Sequence, residues 1–341
     1  MRFVKAFSVG LLAFLLSLFL SGLIATTIFN AILAKPGNLK SWLEESKIYD
    51  AGINEVLNKA KTAPDSSTLS QPEVQKVIKQ TFTPEVARST VEQVIDGTYH
   101  WLEGRVNKPD FQVDLTSLKI SLAENAGNAA VERFNSLPVC TKAQARQISS
   151  DLDPFAIPCR PPGVTAANAK QTVMDQILHN QELLKDPVLT ADTIKTGDHN
   201  QPFYQQAPQL PQAYQWLRKA PWIFGLASLL SIGGIVWLST SYRHGLRRVA
   251  ISLIVSGASL GVAAIVLTWL ANKSISNKNV LRSDVSADLQ SAVIALGKLV
   301  AGSINHVLLG FGIGFVALGT GTLLYLHFYR PKTSPTAKQL S

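Results

Sequence analysis

Four long stretches of this chain contain no charged residue, and this feature restricts its fold more than any other. They are Ala6–Ala34, Ala220–Tyr242, Val249–Asn272 and Leu299–Tyr329. An α-helix needs roughly 20 consecutive apolar residues to cross the hydrocarbon core of a bilayer, and each stretch is long enough. The sequence therefore predicts an integral membrane protein with four transmembrane helices.

The first stretch can also be read as a secretory signal that is cleaved after export. Its apolar part is longer than the roughly 7–15 residues of a signal-peptide core, and Ile32-Leu33-Ala34 is a poor small-residue cleavage site. We therefore interpret this stretch as a retained membrane anchor.

The net charge of +9 is distributed unevenly along the chain. The segments 1–5, 243–248 and 330–341 contain basic residues and no acidic residue, whereas Lys35–Lys219 contains 20 basic and 21 acidic residues. The basic residues of the three short segments are Arg2, Lys5, Arg243, Arg247, Arg248, Arg330, Lys332 and Lys338. Cationic flanks stay in the cytoplasm during membrane insertion. The pattern predicts a plasma-membrane protein with both termini in the cytoplasm and Lys35–Lys219 outside it.

The predicted partners follow from the same charge distribution. Because Lys35–Lys219 is close to neutral, the excess positive charge is explained by topology and by attraction to anionic lipid headgroups. Nucleic-acid binding instead requires a basic patch on the folded domain. We therefore predict contact with the lipid bilayer and no binding to nucleic acid.

The extracytoplasmic segment 35–219 is long enough to form one domain with its own core. Its apolar residues recur at helical spacing in several places. Thr83 precedes Pro84, which combines a capping hydroxyl with proline at the first helical position, and Thr165 is a second candidate cap. The pattern predicts a mostly helical domain.

Three other segments are predicted around these helices. Asp110–Leu115 alternates in polarity and predicts a short extended segment, followed by a helix that Thr116 or Ser117 caps. Residues 198–212 are rich in Gln and Pro and predict an extended linker. Residues 273–298 predict an extracytoplasmic loop with an amphipathic helix that leads into the fourth span. The predicted fold class is all-α, with a four-helix transmembrane bundle and the helical domain inserted between spans one and two.

The chain contains two cysteines, Cys140 and Cys159, and both fall in the predicted extracytoplasmic domain. In an oxidising compartment this arrangement predicts one structural disulfide. A metal site would be expected to include more His or Cys at ligand spacing, and a redox pair would be expected as Cys-x-x-Cys.

The third and fourth spans carry small residues at the spacing of close helix contacts. Gly257 and Gly261 form such a pair in the third span, and Gly310 and Gly314 form one in the fourth. Helices in lipid associate through close backbone approach at such positions. The pairs predict either packing of these two spans within one chain or a homo-oligomer face.

The sequence contains few candidate catalytic or ligand-binding residues. We find no nucleotide-binding, metalloprotease or serine-hydrolase motif, and His100, His179 and His199 are isolated along the chain. The four spans contain no Asp, Glu, Lys or Arg, although transport mechanisms usually need intramembrane ionisable groups. We therefore expect no catalytic residue, cofactor or metal, and no enzymatic activity.

Some of these motifs resemble those of known membrane proteins. The helix Thr83–Trp101, the segment Asp110–Leu115 and the two Pro-flanked cysteines are similar to a class of bacterial multi-span membrane proteins without an assigned activity. That resemblance implies one anchor, a helical extracytoplasmic domain and further spans. In topology the chain also resembles permease-like subunits of the cell-division and macrolide-exporter type, which implies coupling to a cytoplasmic ATPase.

These observations leave three functional hypotheses. The leading one is a non-enzymatic envelope protein that binds or scaffolds another envelope protein through its extracytoplasmic domain. The second is a permease-like or mechanotransmission subunit that works with a cytoplasmic ATPase. The third and weakest is an extracytoplasmic hydrolase, which would need a deep polar pocket with converging carboxylates.

Overall fold

The protein is a largely helical chain in a computed structural model that describes residues 2–62, 71–145, 155, 157–180, 187–196, 201–276 and 285–328. The helices are α1 (Arg2–Ile28, continued by a π-helical turn at Phe29–Leu33), α2 (Pro36–Glu45), α3 (Ile48–Thr62), α4 (Pro72–Thr81), α5 (Pro84–Leu102), α6 (Thr116–Ser136), α7 (Lys142–Ala145), α8 (Ala166–His179), α9 (Phe203–Gln206), α10 (Leu210–Leu238), α11 (Tyr242–Ser276) and α12 (Ala287–Phe328). The strands are β1 (Gln112–Asp114), β2 (Val188–Thr190), β3 (Lys195–Thr196) and β4 (Gln201–Pro202).

The chain forms two compact units. The first, which we call the membrane unit, contains residues 1–38, 213–278 and 297–341. The second, which we call the helical domain, contains residues 39–212 and 279–296. The all-α class predicted from the sequence is confirmed.

Four helices are long and apolar enough to cross a membrane, as the sequence predicts. They cover Phe7–Leu33, Leu210–Leu238, Tyr242–Lys273 and Ala287–Phe328. The protein is therefore an integral membrane protein. Helices α10, α11 and α12 begin before their uncharged stretches, because a helix can continue into the polar region outside the hydrocarbon. The predicted extended linker at 198–212 is wrong in part, since α9 and the start of α10 lie within it.

The first span buries a row of apolar side chains in the membrane unit. Leu16 is 0% and Leu20 is 4% exposed, and both pack in one cluster with Ile235 of α10 and Val249 of α11. Further along α1, Ile24 packs with Leu308 of α12. One face of α1 therefore contacts each of the other three spans.

Local sequence signals set the ends of the domain helices. Thr83 accepts a hydrogen bond from the backbone N–H of Val86, and Thr165 forms a capping box with Asn168; both predicted caps are confirmed. The predicted cap at Thr116 or Ser117 is wrong. Leu115 takes the N-cap position of α6, and the Asp114 carboxylate accepts from the Thr116 N–H at 2.8 Å.

The core of the helical domain lies between α4, α6 and α8. Small residues on α6 allow the other helices to approach closely, and apolar side chains fill the remaining space. The buried cluster is Val77, Ala126, Ala129, Ala130, Phe155 and Val173. A second cluster joins Phe134 of α6 to Ile157 and to Ala169 of α8.

Two short antiparallel pairs complete the domain. The predicted extended segment is confirmed as β1, which pairs with β2 in the register Gln112↔Thr190. The second pair is β3 with β4. His100, which the sequence leaves isolated, lies next to Asp110, with Nδ1 3.2 Å from the carboxylate. His199 lies outside the described residues.

Candidate functional site

The predicted disulfide is present in the helical domain. Cys140 and Cys159 are joined by an S–S bond, and their Cα atoms are 4.9 Å apart. Backbone hydrogen bonds align the two cysteine segments, since the Cys140 N–H donates to Arg160 and the Arg160 N–H donates to Pro138. Cys159 is 2% exposed. The bond therefore connects the end of α6 to the segment that precedes α8.

The residues predicted to set topology are only partly described. Arg243, Arg247 and Arg248 lie in the first two turns of α11, so the predicted basic loop at 243–248 is helical. The chain instead turns at residues 239–241. Arg2 and Lys5 lie in α1, but their side chains are outside the described part of the structure, as are Arg330, Lys332 and Lys338 entirely.

Gly257 of α11 packs against α12 within the chain. A Cβ atom at Gly257 would lie 2.7 Å from the carbonyl oxygen of Gly312, and one at Gly312 would lie 3.7 Å from the Gly261 nitrogen. A Cβ at Gly319 would meet the Ala250 oxygen at 2.7 Å. The third and fourth spans therefore touch backbone to backbone, through Gly312 and Gly319 on the α12 side.

Gly310 and Gly314 do not form this contact, which corrects one of the two predicted alternatives for them. Within the described residues, a Cβ at either position would meet no atom within 4 Å. Both line an apolar groove of about 450 Å³ on α12, together with Phe311 and Phe315. Because i, i+2 positions lie on different sides of a helix, the face that carries Gly312 cannot also present Gly310 and Gly314.

An apolar cavity of about 500 Å³ lies in the helical domain. Its walls come from α2, α3, α4 and α5, and none of its lining side chains is charged. The lining residues are Leu43, Ile48, Tyr49, Gly52, Ile53, Val56, Ile78, Phe82, Ala87 and Val91. Val56 is 63% exposed, so the cavity opens to the surface at this residue.

Two corners of the chain shape this cavity. Between α2 and α3, Lys47 adopts a positive φ of 58°, which reverses the chain so that Leu43 and Ile48 face the same space. Between α4 and α5, Phe82 and Thr83 separate the helices, and Pro84 opens α5. Proline fixes φ and has no N–H to satisfy, so it suits a helix start directly after a turn.

The α3 wall is a single stripe of the helix surface. Its lining residues stand at positions 48, 49, 52, 53 and 56, the i, i+4, i+8 pattern of one helix face. Gly52 is in the middle of that stripe, and a Cβ there would meet no atom within 4 Å among the described residues. The missing side chain leaves the space open.

Tyr49 is one of the lining residues, and its hydroxyl oxygen is shielded from solvent. Its side chain is 7% exposed, and the hydroxyl has no hydrogen-bond partner among the described residues. Burial and the nearby Glu92 carboxylate raise the pKa of Tyr49 above its usual value. The hydroxyl therefore stays protonated near neutral pH.

A charged network lies beside Tyr49 at the edge of the cavity. Arg88 of α5 pairs with Glu92 at 2.8 Å and also with Glu44 of α2. The hydrogen bond to Glu92 and the attraction of Glu44 raise the pKa of Arg88. These pairs tie α2 to α5 and satisfy the charges nearest to the cavity.

A polar recess of about 380 Å³ lies elsewhere in the domain, between α2, α3 and the start of α12. Glu45, Asp50 and Asp288 contribute carboxylates to its lining. Nearby, hydrogen bonds from the Ser286 hydroxyl and from its backbone N–H, the latter at 2.9 Å, lower the pKa of Glu55 and hold the start of α12. Within the described residues, no group of three His, Cys, Asp or Glu side chains is arranged to hold a metal ion.

Sequence reasoning missed the cavity and its tyrosine. Ile53, Val56 and Leu57 carry the helical periodicity of a core face, and Leu57 is indeed buried at 3% exposure. Ile53 and Val56 line the open cavity instead. The available signal was Gly52, a glycine in the middle of an apolar helix face.

Comparisons with known proteins do not assign a function. No known protein family matches the sequence, and neither a curated protein nor a solved structure matches the chain.

Proposed function

We propose that this protein is a non-enzymatic, membrane-anchored binding protein of the cell envelope. Its four spans hold the helical domain at the bilayer, and that domain binds or scaffolds another envelope component. The observation that carries the proposal is the apolar cavity of α2–α5, which opens at Val56. Ligand sites are typically concave and mostly apolar, with a few polar groups.

An extracytoplasmic position of the helical domain is part of the proposal. The segments at 1–5, 243–248 and 330–341 are purely cationic, and such flanks favour the cytoplasmic side. The Cys140–Cys159 bond is typical of oxidising compartments.

Alkylation of intact membranes under non-reducing conditions tests the extracytoplasmic position of the helical domain. No thiol should react before reduction, and two thiols should react afterwards.

Site-directed photocrosslinking tests the binding role. A photoreactive phenylalanine at Val56 should form an adduct with an envelope component in living cells. The same residue at Gln93, exposed on α5 and not part of the cavity lining, serves as the matched control. Equal adducts at both positions, or none at Val56, would contradict the proposal.

The permease-like alternative rests on a different surface. Arg247 and Arg248 are exposed at the start of α11, where a cytoplasmic ATPase would have to dock. A photoreactive residue at Arg247 that captures a nucleotide-binding protein, with no adduct at Val56, would favour this alternative. The hydrolase alternative would use the polar recess. If cells that carry Asp50→Asn grow like the wild type, the strongest candidate for a catalytic carboxylate in that recess is removed.

A further inference from the structure

The second span contains a proline at a position where an uninterrupted helix would form a backbone hydrogen bond. Pro221 lies inside α10, and it has no N–H to donate to the carbonyl oxygen of Leu217, four residues earlier. Pro221 is at the start of the uncharged stretch Ala220–Tyr242, where little water is present to bind that oxygen. The Leu217 carbonyl therefore needs a donor from elsewhere in the chain.

The first span supplies this donor. The side-chain amide of Asn30 donates to the Leu217 oxygen at 3.0 Å and to the Thr26 oxygen of its own helix at 2.8 Å. An amide group carries two donor hydrogens, so both bonds form at once. Asn30 thus replaces, from a neighbouring helix, the hydrogen bond that Pro221 removes from α10.

Asn30 lies in the π-helical turn Phe29–Leu33, which is an irregular part of the first span. The Ala34 N–H closes this turn by donating to the Phe29 oxygen at 2.8 Å. Such turns are rare, and they occur frequently at functional sites. One side chain therefore joins an irregular turn in the first span to the proline-containing segment of the second.

Tyr214, near the start of α10, makes further contacts with the same end of α1. Its hydroxyl donates to the Ala34 oxygen at 3.2 Å. Its ring packs edge-on against Phe29, with the two ring centroids 5.6 Å apart, and the residue is 6% exposed. The start of α10 is therefore attached to the end of α1 by hydrogen bonds and by one ring contact.

The two parts of α10 on either side of Pro221 are held differently. The part after the proline packs through apolar side chains, with Ile235 in one buried cluster with Leu16 of α1. The part before the proline is held by the polar contacts of Asn30 and Tyr214. A proline leaves a helix one backbone hydrogen bond short at the point where it bends. The Asn30 bond is therefore a restraint on the angle between the two parts.

We propose that Pro221 is a hinge in the second span and that the Asn30 side chain is the latch that holds this hinge at one angle. With the bond to Leu217 formed, residues 213–220 stay against the end of α1. When the bond opens, these residues tilt about Pro221 while the rest of α10 keeps its apolar packing. The inference concerns the membrane unit alone and goes beyond the proposed binding function.

A double-mutant cycle on the full-length protein in lipid nanodiscs tests the latch. Asn30→Leu removes the donor at a similar side-chain size. Hydrogen exchange of the amides at 213–220, measured by mass spectrometry, should become about tenfold faster, the change for roughly 1.4 kcal/mol of opening free energy. Pro221→Ala restores the helical N–H for Leu217, so Asn30→Leu added to it should change exchange by about twofold at most. An equal effect of Asn30→Leu with and without Pro221 would overturn the inference.

Asn38→Leu is the matched control. Asn38 of α2 also donates a side-chain amide to the end of α1, but its acceptors are the Ala31 and Ile32 oxygens, at 3.0 and 3.1 Å. Its effect on exchange should be the same whether or not Pro221 is replaced. If Asn30→Leu alone does not fold, recovery of folding by Pro221→Ala supports the latch, and failure of the double variant overturns it.

The hinge is measured separately, by the distance between two spin labels on α10. Both native cysteines are in the disulfide, so cysteines for labelling can be introduced at Ala213 and Leu230, which are exposed on either side of Pro221. The wild type and Pro221→Ala should each give one narrow distance distribution. Asn30→Leu should broaden the distribution, and the double variant should be narrow again. An unchanged narrow distribution in Asn30→Leu would contradict the hinge.

Discussion

In the α6–α8 core of the helical domain small residues bring helices into contact, whereas in the α2–α5 region a glycine faces open space. A Cβ at Gly127 of α6 would lie 2.9 Å from the Met174 side chain of α8, while one at Gly52 of α3 would meet nothing within 4 Å among the described residues. The same residue type therefore marks a close contact in one region and a cavity in the other. The difference indicates that Gly127 permits close helix packing, whereas Gly52 leaves space in the cavity.

The largest expected contrast comes from truncating a phenylalanine in each region. Phe134 is 3% exposed in the core. Its replacement by Ala should lower the unfolding free energy of the domain by about 3–5 kcal/mol. Phe82→Ala should cost less than half of this, because the ring already borders open space. Thermal unfolding followed by tryptophan fluorescence measures both. Equal losses would mean that the cavity is filled by packing of the chain itself.

Removing the disulfide should affect the core rather than the cavity. In the chain-entropy model, the double change Cys140→Ser and Cys159→Ser should lower the unfolding free energy by about 3 kcal/mol. The packing of α2 to α5 should remain intact, since the bond lies on the α6–α8 side. Reduction of the wild-type protein should reproduce the loss of stability. A stable reduced protein would show that core packing alone holds this region.

Glycine-to-alanine changes should have opposite signs in contact and cavity positions. Gly97→Ala would place a Cβ 2.6 Å from the Phe111 backbone nitrogen, and it should destabilise the domain by about 2 kcal/mol through overpacking. Gly52→Ala should stabilise it by about 0.5–1 kcal/mol, because glycine weakens a helix interior. Unfolding midpoints of the two variants measure the difference, and a shared sign would contradict it.

The smallest effect concerns a surface carboxylate that contributes to neither region. Hydrogen bonds from Lys108 and from the Tyr204 hydroxyl, the latter at 2.7 Å, lower the pKa of Asp192. Its stabilising contribution is complete above its unfolded pKa of about 3.9 and is lost as pH falls through the lower folded value. Asp192→Asn should flatten this acidic part of the stability profile. Lys108→Gln should reduce the same slope, and an unchanged slope in both variants would refute the assignment.

The spans could be predicted from sequence because lipid leaves the backbone few choices. A chain in hydrocarbon must satisfy its hydrogen bonds within a helix, so long uncharged stretches identify the spans directly. Their helical ends were harder to predict. Pro211 near the start of α10 is compatible with both a linker and a first helical turn, and tertiary context decides between them.

Other features depend on contacts that no local pattern contains. Strands β2 to β4 are two or three residues long, and β2 is defined by pairing with β1 far away in the sequence. The stripe on α3 that carries Gly52 has the same apolar period whether it packs against a neighbour or lines a cavity. The sequence identifies such an apolar face, but only the structure around it determines whether the face packs against a neighbouring helix or lines a cavity.

The position of α1 at the centre of the membrane unit has a consequence for biosynthesis. Leu16 and Leu20 pack against side chains of α10 and α11, which begin only at Leu210 and are synthesised long after α1. The first span must therefore wait in the bilayer with its contact face covered by lipid or by an insertion factor. Assembly of this unit is a late event, and a ribosome that stalls within the helical domain would leave an orphaned anchor for membrane quality control to remove.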